Sequence, residues 1–101
     1  MPSTQYAATR LRVDHDEHEP KVTAGDLEIA RNDRGNTNWA LTIFTDEPWH
    51  HGCGECRLLI EVERNHRFQG RAVLIRSDRG RWHYFEGAGN LGRVEVFNDV
   101  T

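Results

Sequence analysis

The sequence predicts an all-β fold, a small antiparallel sandwich or barrel of six to seven strands. Three observations support this prediction. Short apolar segments recur along the chain, turn-forming residues separate them, and no segment has the 3.6-residue period of an amphipathic helix. Because sandwiches and barrels require the same alternation of inward and outward side chains, the pattern does not choose between them.

The best-defined element is a hairpin over residues 68–89 that reverses at residues 77–80. Gly80 suits the left-handed bulge position that follows a type I turn. The resulting register predicts two faces, one formed by Val73, Ile75, His83 and Phe85, and the other by Leu74, Arg76, Trp82 and Tyr84. Since both faces are largely apolar, we expect a strand covered on both sides, with Arg76 over the ring of Trp82.

The remaining strands follow from alternation between turns. Residues 1–9 are expected to form an N-terminal arm or a loosely attached first strand, and residues 10–101 a single β domain. Further strands are predicted at 10–13, 21–31, 37–45, 57–64 and 93–97. The apolar side chains that share a face along these strands are Leu11, Val13, Leu27, Ile29, Trp39, Leu41, Ile43, Leu58, Ile60 and Val62.

Composition and charge exclude several classes of protein. The chain has 101 residues, a size typical of one domain, and no apolar run approaches the roughly 20 residues that span a bilayer. Its net charge is −3 and its pI about 6.0. We therefore expect neither a nucleic-acid partner nor a membrane.

A C-x-x-C motif with glycine between the cysteines is the sharpest chemical signal. This spacing presents two thiolates to Zn²⁺, and a structural zinc site takes four ligands. A histidine of the same loop, or the H-x-x-H in the acidic segment 14–19, would complete the set if both loops lie at one end of the fold. The candidate ligands are Cys53, Cys56, His50, His15 and His18.

A zinc-stapled binding or regulatory module is therefore one expected function. The alternatives for the two cysteines are a reduced pair or, in an oxidising compartment, a disulfide.

The sequence contains no motif of an established catalytic class. There is no nucleophile elbow, P-loop, dinucleotide fingerprint or H-E-x-x-H. The titratable pairs it offers are His83 with Glu86 and His66 with Glu63. The predicted register places His83 in the core, so we expect a protein without enzymatic activity.

Two segments, F-Q-G-R-A at residues 68–72 and F-E-G-A-G-N-L at residues 85–91, resemble a pattern of tail-tube and related small β-proteins of tailed bacteriophages. In that family an F-x-G-x-A strand pairs with a strand ending F-x-G-x-G-x-L. The resemblance implies a structural or assembly protein of the tail or capsid, without catalysis. Its partners would be other protein subunits, in a homo-oligomer or a larger assembly, within the virion or the host cytoplasm.

Overall fold

A computed structural model of the protein describes residues 3–14, 19–31, 34, 37–49 and 54–94. Within these ranges the chain forms seven strands and one short 3₁₀ turn. In chain order they are β1 (Ser3–Val13), β2 (Val22–Arg31), β3 (Thr37–Thr45), β4 (Glu55–Val62), the 3₁₀ turn (Glu63–Asn65), β5 (His66–Asp78), β6 (Trp82–Gly87) and β7 (Gly92–Val94).

Six of these strands close into an antiparallel barrel. Their order is β1-β2-β3-β6-β5-β4, and β4 pairs with β1 to complete the circuit. The short strand β7 adds to β5 beyond the end of β6. The predicted all-β class is confirmed, and continuous pairing around the circuit makes the fold a barrel.

Strand β1 closes the barrel because it changes neighbours along its length. Residues 3–7 pair with β2, while residues 8–13 pair with β4, and the register shifts between Ala8 and Arg10. A shift of this kind bends a strand and increases its twist, which closure of a small sheet requires. Residues 3–9, expected as an arm or a loosely attached strand, form the first part of β1.

The barrel interior is filled by the apolar residues that alternation placed on one face. Nine of them are at most 1% exposed, and each contributes about 1.5–3 kcal/mol through its burial. They are Leu11, Val13, Leu27, Leu41, Ile43, Leu58, Ile60, Val62 and Phe85. Ile29 is half-buried and packs against this core. The alternation predicted for the strands is therefore confirmed.

Trp49, which follows β3, closes one end of the barrel. Its backbone N–H donates to the carbonyl of Gly80 at 2.7 Å, and its indole lies edge-on to the imidazole of His83 with ring centroids 5.0 Å apart. The residue is only 5% exposed. The sequence pattern placed Trp49 in a loop and indicated no role for it, because its partners Gly80 and His83 lie on a hairpin that is distant along the chain.

Trp39 closes the opposite end. Its indole N–H donates to the carbonyl of Gly89 at 2.9 Å. Two other glycines leave space for the ring, since a Cβ on Gly70 would lie 3.0 Å from it and a Cβ on Gly87 would overlap it. The side chain of Leu91 would also lie 3.0 Å from a Cβ on Gly70. The two segments that carry the bacteriophage resemblance therefore surround Trp39.

The predicted register of the hairpin was wrong, although Gly80 is left-handed as predicted, with φ 73°. Arg79 is also left-handed, with φ 56°, and the N–H of Arg81 donates to the carbonyl of Asp78 at 3.1 Å. Two left-handed central residues define a type I′ turn, whose twist matches the strands better than a type I turn does. Two backbone hydrogen bonds hold the tip in place, one donated to Arg81 by Thr45 at the end of β3 and one donated to Gly80 by Trp49.

The prediction that this strand is covered on both sides was also wrong. The register shifts between Leu74 and Arg76, so that Leu74 faces Phe85 and Ile75 becomes an extra, 52% exposed residue. His83 and Phe85 lie in the interior as expected, whereas the opposite face of the hairpin points to solvent. A barrel wall has one covered face, and apolar side chains on the other face remain partly exposed.

Replacing Gly87 with alanine should destabilise the barrel, because the new methyl group would overlap the indole of Trp39. We expect Gly87→Ala to lower the free energy of unfolding by about 1–3 kcal/mol in urea titrations. Gly54→Ala is the matched control, since a Cβ there meets no atom within 4 Å. Equal stabilities of the two variants would contradict this account of the closed end.

Candidate interaction surface

Strands β2, β3 and β6 lie side by side and present one continuous outward face. Pairing aligns their outward side chains into rows across the strands. The rows are Ala24–Phe44–Trp82, Asp26–Thr42–Tyr84 and Glu28–Ala40–Glu86. The first row is rich in aromatic side chains and the third carries two carboxylates, so the character of the face changes along the strands.

An aromatic ridge, formed by Phe44, Trp82 and Arg76, crosses one end of this face. Phe44 is 43% exposed, and its ring lies 6.4 Å from that of Trp82 in an edge-on arrangement. The guanidinium of Arg76 lies 5.8 Å from the centroid of the Trp82 ring, so the predicted cation–π contact is present. Among the described residues, two large hydrophobic side chains are exposed, Phe44 on β3 and Ile75 on β5.

An acidic groove, formed by Glu28, Ala40 and Glu86, lies four residues further along the same strands. Ala40 pairs with both glutamates, so a small side chain separates two carboxylates. The groove has a volume of about 400 Å³. Its lining is completed by Ala30, Asn38, Trp39, Tyr84 and Gly87. A groove of this composition favours a cationic group over an anionic one.

Tyr84 lies between the ridge and the groove, and the pKa of its phenol depends on the charges around it. Burial raises the pKa of its phenol above the ordinary value of 10.0, and the negative charges of Glu86 and Glu28 raise it further. The phenol also donates a hydrogen bond to Oε2 of Glu86 at 3.4 Å. Of these causes, the charges of Glu86 and Glu28 disfavour a second negative charge on the phenol, which indicates a negative potential over this part of the face.

The structure places one of the five candidate zinc ligands. Cys56 is half-buried in β4, opposite Ala72. The other four, Cys53, His50, His15 and His18, lie outside the described residues. Among the residues that are described, no three metal-ligating side chains lie together.

The described ends of the two candidate zinc loops lie at the same end of the barrel. The N–H of Asp14 donates to the carbonyl of Arg57 at 2.9 Å, next to Cys56. The N–H of Asp46 donates to the carbonyl of Lys21 at 3.0 Å. The loop after β1 and the loop after β3 therefore start and end beside one another, which is the arrangement that a shared zinc site requires.

The two titratable pairs suggested by the sequence are not assembled. His83 is fully buried and shares a 2.8 Å hydrogen bond between its Nδ1 and Oγ of Ser77, whereas Glu86 lies on the outward face. Glu63 accepts a hydrogen bond from the backbone N–H of Ala7 at 2.9 Å, while His66 contacts Arg93. Both histidines are thus engaged with other partners.

Comparison with known protein families, with curated proteins and with solved structures finds no match for this chain. In the part of the chain that the structure describes, no helix has the length and apolar composition needed to cross a membrane.

Sequence reasoning found part of the surface and missed the rest. It placed Arg76, Trp82 and Tyr84 together on one face of a hairpin, where local alternation was sufficient. It missed Phe44 and Glu28, because their place beside β6 depends on which strands become neighbours in the barrel. For Phe44, the signal that could have been used was the apolar character of the outward positions in the predicted strand 37–45.

Titration of the tyrosines should detect the negative potential at Tyr84. We expect a phenol with a pKa above 10.0 in the wild-type protein, and a lower pKa in Glu86→Gln, since one of the raising charges is removed. Absorbance near the phenolate band measures both. Because the unfolded phenol ionises first as the pH rises, the free energy of unfolding should fall above about pH 10.

Tyr84→Phe assigns the signal, because the chain contains only two tyrosines. The transition with the raised pKa should be absent from this variant. An identical titration of wild type and Glu86→Gln would show that Glu86 does not act on the phenol.

Proposed function

We propose that this protein is a non-enzymatic structural or assembly protein that acts through protein–protein contacts. The observation that carries the proposal is the aromatic ridge together with Ile75. These side chains lie at the surface of a barrel whose own core is complete without them. Exposed aromatic and apolar residues beside an arginine are the composition typical of the centre of a protein–protein interface.

The proposed setting is the tail or capsid of a bacteriophage particle. This part of the proposal is supported by the resemblance of residues 68–72 and 85–91 to small β-proteins of tailed phages. In the barrel these residues pack around Trp39, and that packing accounts for their spacing without any partner. The setting therefore depends on the resemblance alone, whereas the contact surface is argued from exposure and chemistry.

Removing the exposed apolar side chains should weaken association. We expect Phe44→Ser/Ile75→Ser to weaken self-association or binding to another protein of the same particle by about tenfold or more. Size-exclusion chromatography with light scattering, or a pull-down of the particle's other proteins, measures the effect. Folding should be preserved, because both side chains are exposed in the isolated barrel.

Leu59→Ser is the matched control for this experiment. Leu59 lies on the outward face of β4, on the other side of the barrel, and is half-buried. The proposal is wrong if the wild-type chain is a strict monomer that binds none of those proteins, or if the control weakens association as much as the double variant does.

A zinc-stapled binding or regulatory module is the second candidate function. It is favoured by one observation, that the described ends of the two loops carrying the candidate ligands lie beside one another, with Asp14 bonded to Arg57 next to Cys56. In such a module Cys53 and Cys56 would act as thiolate ligands, with histidines from either loop. The zinc would staple two loops of a small domain and add to its stability.

Metal analysis of protein purified without chelator tests the zinc proposal. We expect bound zinc in the wild type, and in Cys53→Ser both loss of the metal and a melting temperature lower by several degrees, since about 1 kcal/mol shifts it by roughly 4–8 °C in a domain of this size. His66→Ala, at the opposite end of the barrel, should keep the metal. The zinc-stapled module is ruled out if the wild-type protein carries no metal and its melting temperature equals that of Cys53→Ser.

A further inference from the structure

We propose that a pocket at the Trp39 end of the barrel binds a small organic anion, a carboxylate joined to an aromatic ring. The pocket has a volume of about 310 Å³. Among the described residues, its lining consists of four apolar or aromatic side chains, two threonines and two arginines. The pocket begins at Thr37, at the start of β3, whereas Phe44 of the aromatic ridge lies near the end of that strand. This binding therefore does not depend on the proposed function.

Arg31 occupies an inward position at the end of β2. Leu27 is fully buried and Ile29 packs against the core, so the period of two along the strand places Arg31 on the same face. Its partner on β3 is Thr37, which also lines the pocket. Arg31 is exposed, so its guanidinium lies at the mouth of the pocket.

Arg93 occupies the corresponding position on β7. It pairs with Phe68, which is only 8% exposed and pairs in turn with the buried Ile60. Because paired residues share one face of a sheet, Arg93 lies on the inward side of its strand. Its guanidinium contacts Nδ1 of His66. A neutral imidazole that accepts this hydrogen bond orients the guanidinium and leaves its positive charge available to a ligand.

The charge of the pocket favours an anion. No carboxylate is among the described residues that line it. On the neighbouring strands, Glu28 lies on the outward face, and Glu63 accepts a hydrogen bond from the backbone N–H of Ala7. Two guanidinium groups match the geometry of a carboxylate, which each can bind through two hydrogen bonds. The hydroxyl groups of Thr4 and Thr37 add further donors to the lining.

The wall of the pocket favours an aromatic ring. The rings of Tyr6 and Phe68 lie with their centroids 5.5 Å apart at an angle of 49°. Ile29 and Leu91 complete the apolar lining. An apolar pocket with a few convergent polar groups is the usual form of a small-molecule site, and the mouth of a β-barrel is a common place for one. The volume lies near the lower end of the range for such sites, so the ligand is a small molecule.

Binding of two matched fluorescent probes tests the pocket. Anilinonaphthalene sulfonate carries an anionic group on an aromatic body, and phenylnaphthylamine is the same body without the charge. We expect the wild-type protein to bind one molecule of the anionic probe saturably. Arg31→Gln and Arg93→Gln should each raise the Kd of this probe by about tenfold, because a charge-assisted hydrogen bond is lost. The Kd of the uncharged probe should stay as in wild type.

Competition experiments identify the chemistry of the ligand. Naphthoate, an aromatic carboxylate, should displace the anionic probe. Acetate and inorganic phosphate at the same concentration should not, because they lack the ring. If inorganic phosphate displaces the probe as well as naphthoate does, the pocket is a simple anion site and the inference is wrong.

Two controls and a blocking variant complete the test, with circular dichroism to verify folding. Arg57→Gln removes an exposed arginine from the outward face of β4 and should bind both probes as wild type does. Thr37→Phe places a ring in the pocket and should abolish binding of both probes. Thr42→Phe, on the outward face of the same strand, should not.

The inference is overturned if the wild-type protein does not bind the anionic probe, or if either arginine of the pocket can be replaced without weakening that binding. It is also overturned if Thr37→Phe binds as wild type does, if a control weakens binding as much as the pocket variants do, or if the arginine variants weaken binding of both probes equally.

Discussion

The packing of the Trp39 indole against glycines is the constraint on which one end of the barrel depends. Gly70 on β5 and Gly87 on β6 leave the volume that the ring occupies, and the carbonyl of Gly89 accepts its N–H. A tryptophan buried with its N–H paired contributes a large apolar area without the cost of an unsatisfied donor. Beyond Gly87 the chain crosses to β7, which pairs with the first part of β5.

The same packing shapes the outer surface. Because Gly87 has no side chain, an edge of Trp39 reaches the lining of the acidic groove from within. Ala40 and Ala30 keep the floor of the groove low, so the two glutamates stand beside an open space. The groove therefore exists because of how the core is filled at this end of the barrel. The ridge exists because Phe44, Trp82 and Arg76 are large side chains on the outward face.

Much of the fold could be predicted because its cause is local. Alternation over 37–45 assigned Trp39, Leu41 and Ile43 to one face, and all three are buried in β3, whose bounds are those predicted. The hairpin register could not be predicted. The turn tip accepts hydrogen bonds from Thr45 and Trp49, and these residues belong to a distant part of the sequence that a local pattern does not include.

The candidate surface was predicted in part for the same reason. Arg76, Trp82 and Tyr84 lie within one hairpin, so alternation was enough to group them. Glu28 and Phe44 join them only because β3 lies between β2 and β6. The residue pattern of one strand does not predict which other strand will pair with it, because antiparallel pairing is compatible with several strand orders.

By itself the sequence determined the class of the protein, the strands and their inward faces, because the period of two along a strand is a property of the backbone. It also determined that the chain reverses at Gly80, because glycine accepts a left-handed conformation without a steric cost. Only the tertiary structure decided that the sheet closes into a barrel, that Ile75 lies outside, and that an aromatic ridge and an acidic groove share one face. Those features depend on which strands pair, and pairing is set by the packing of the whole chain.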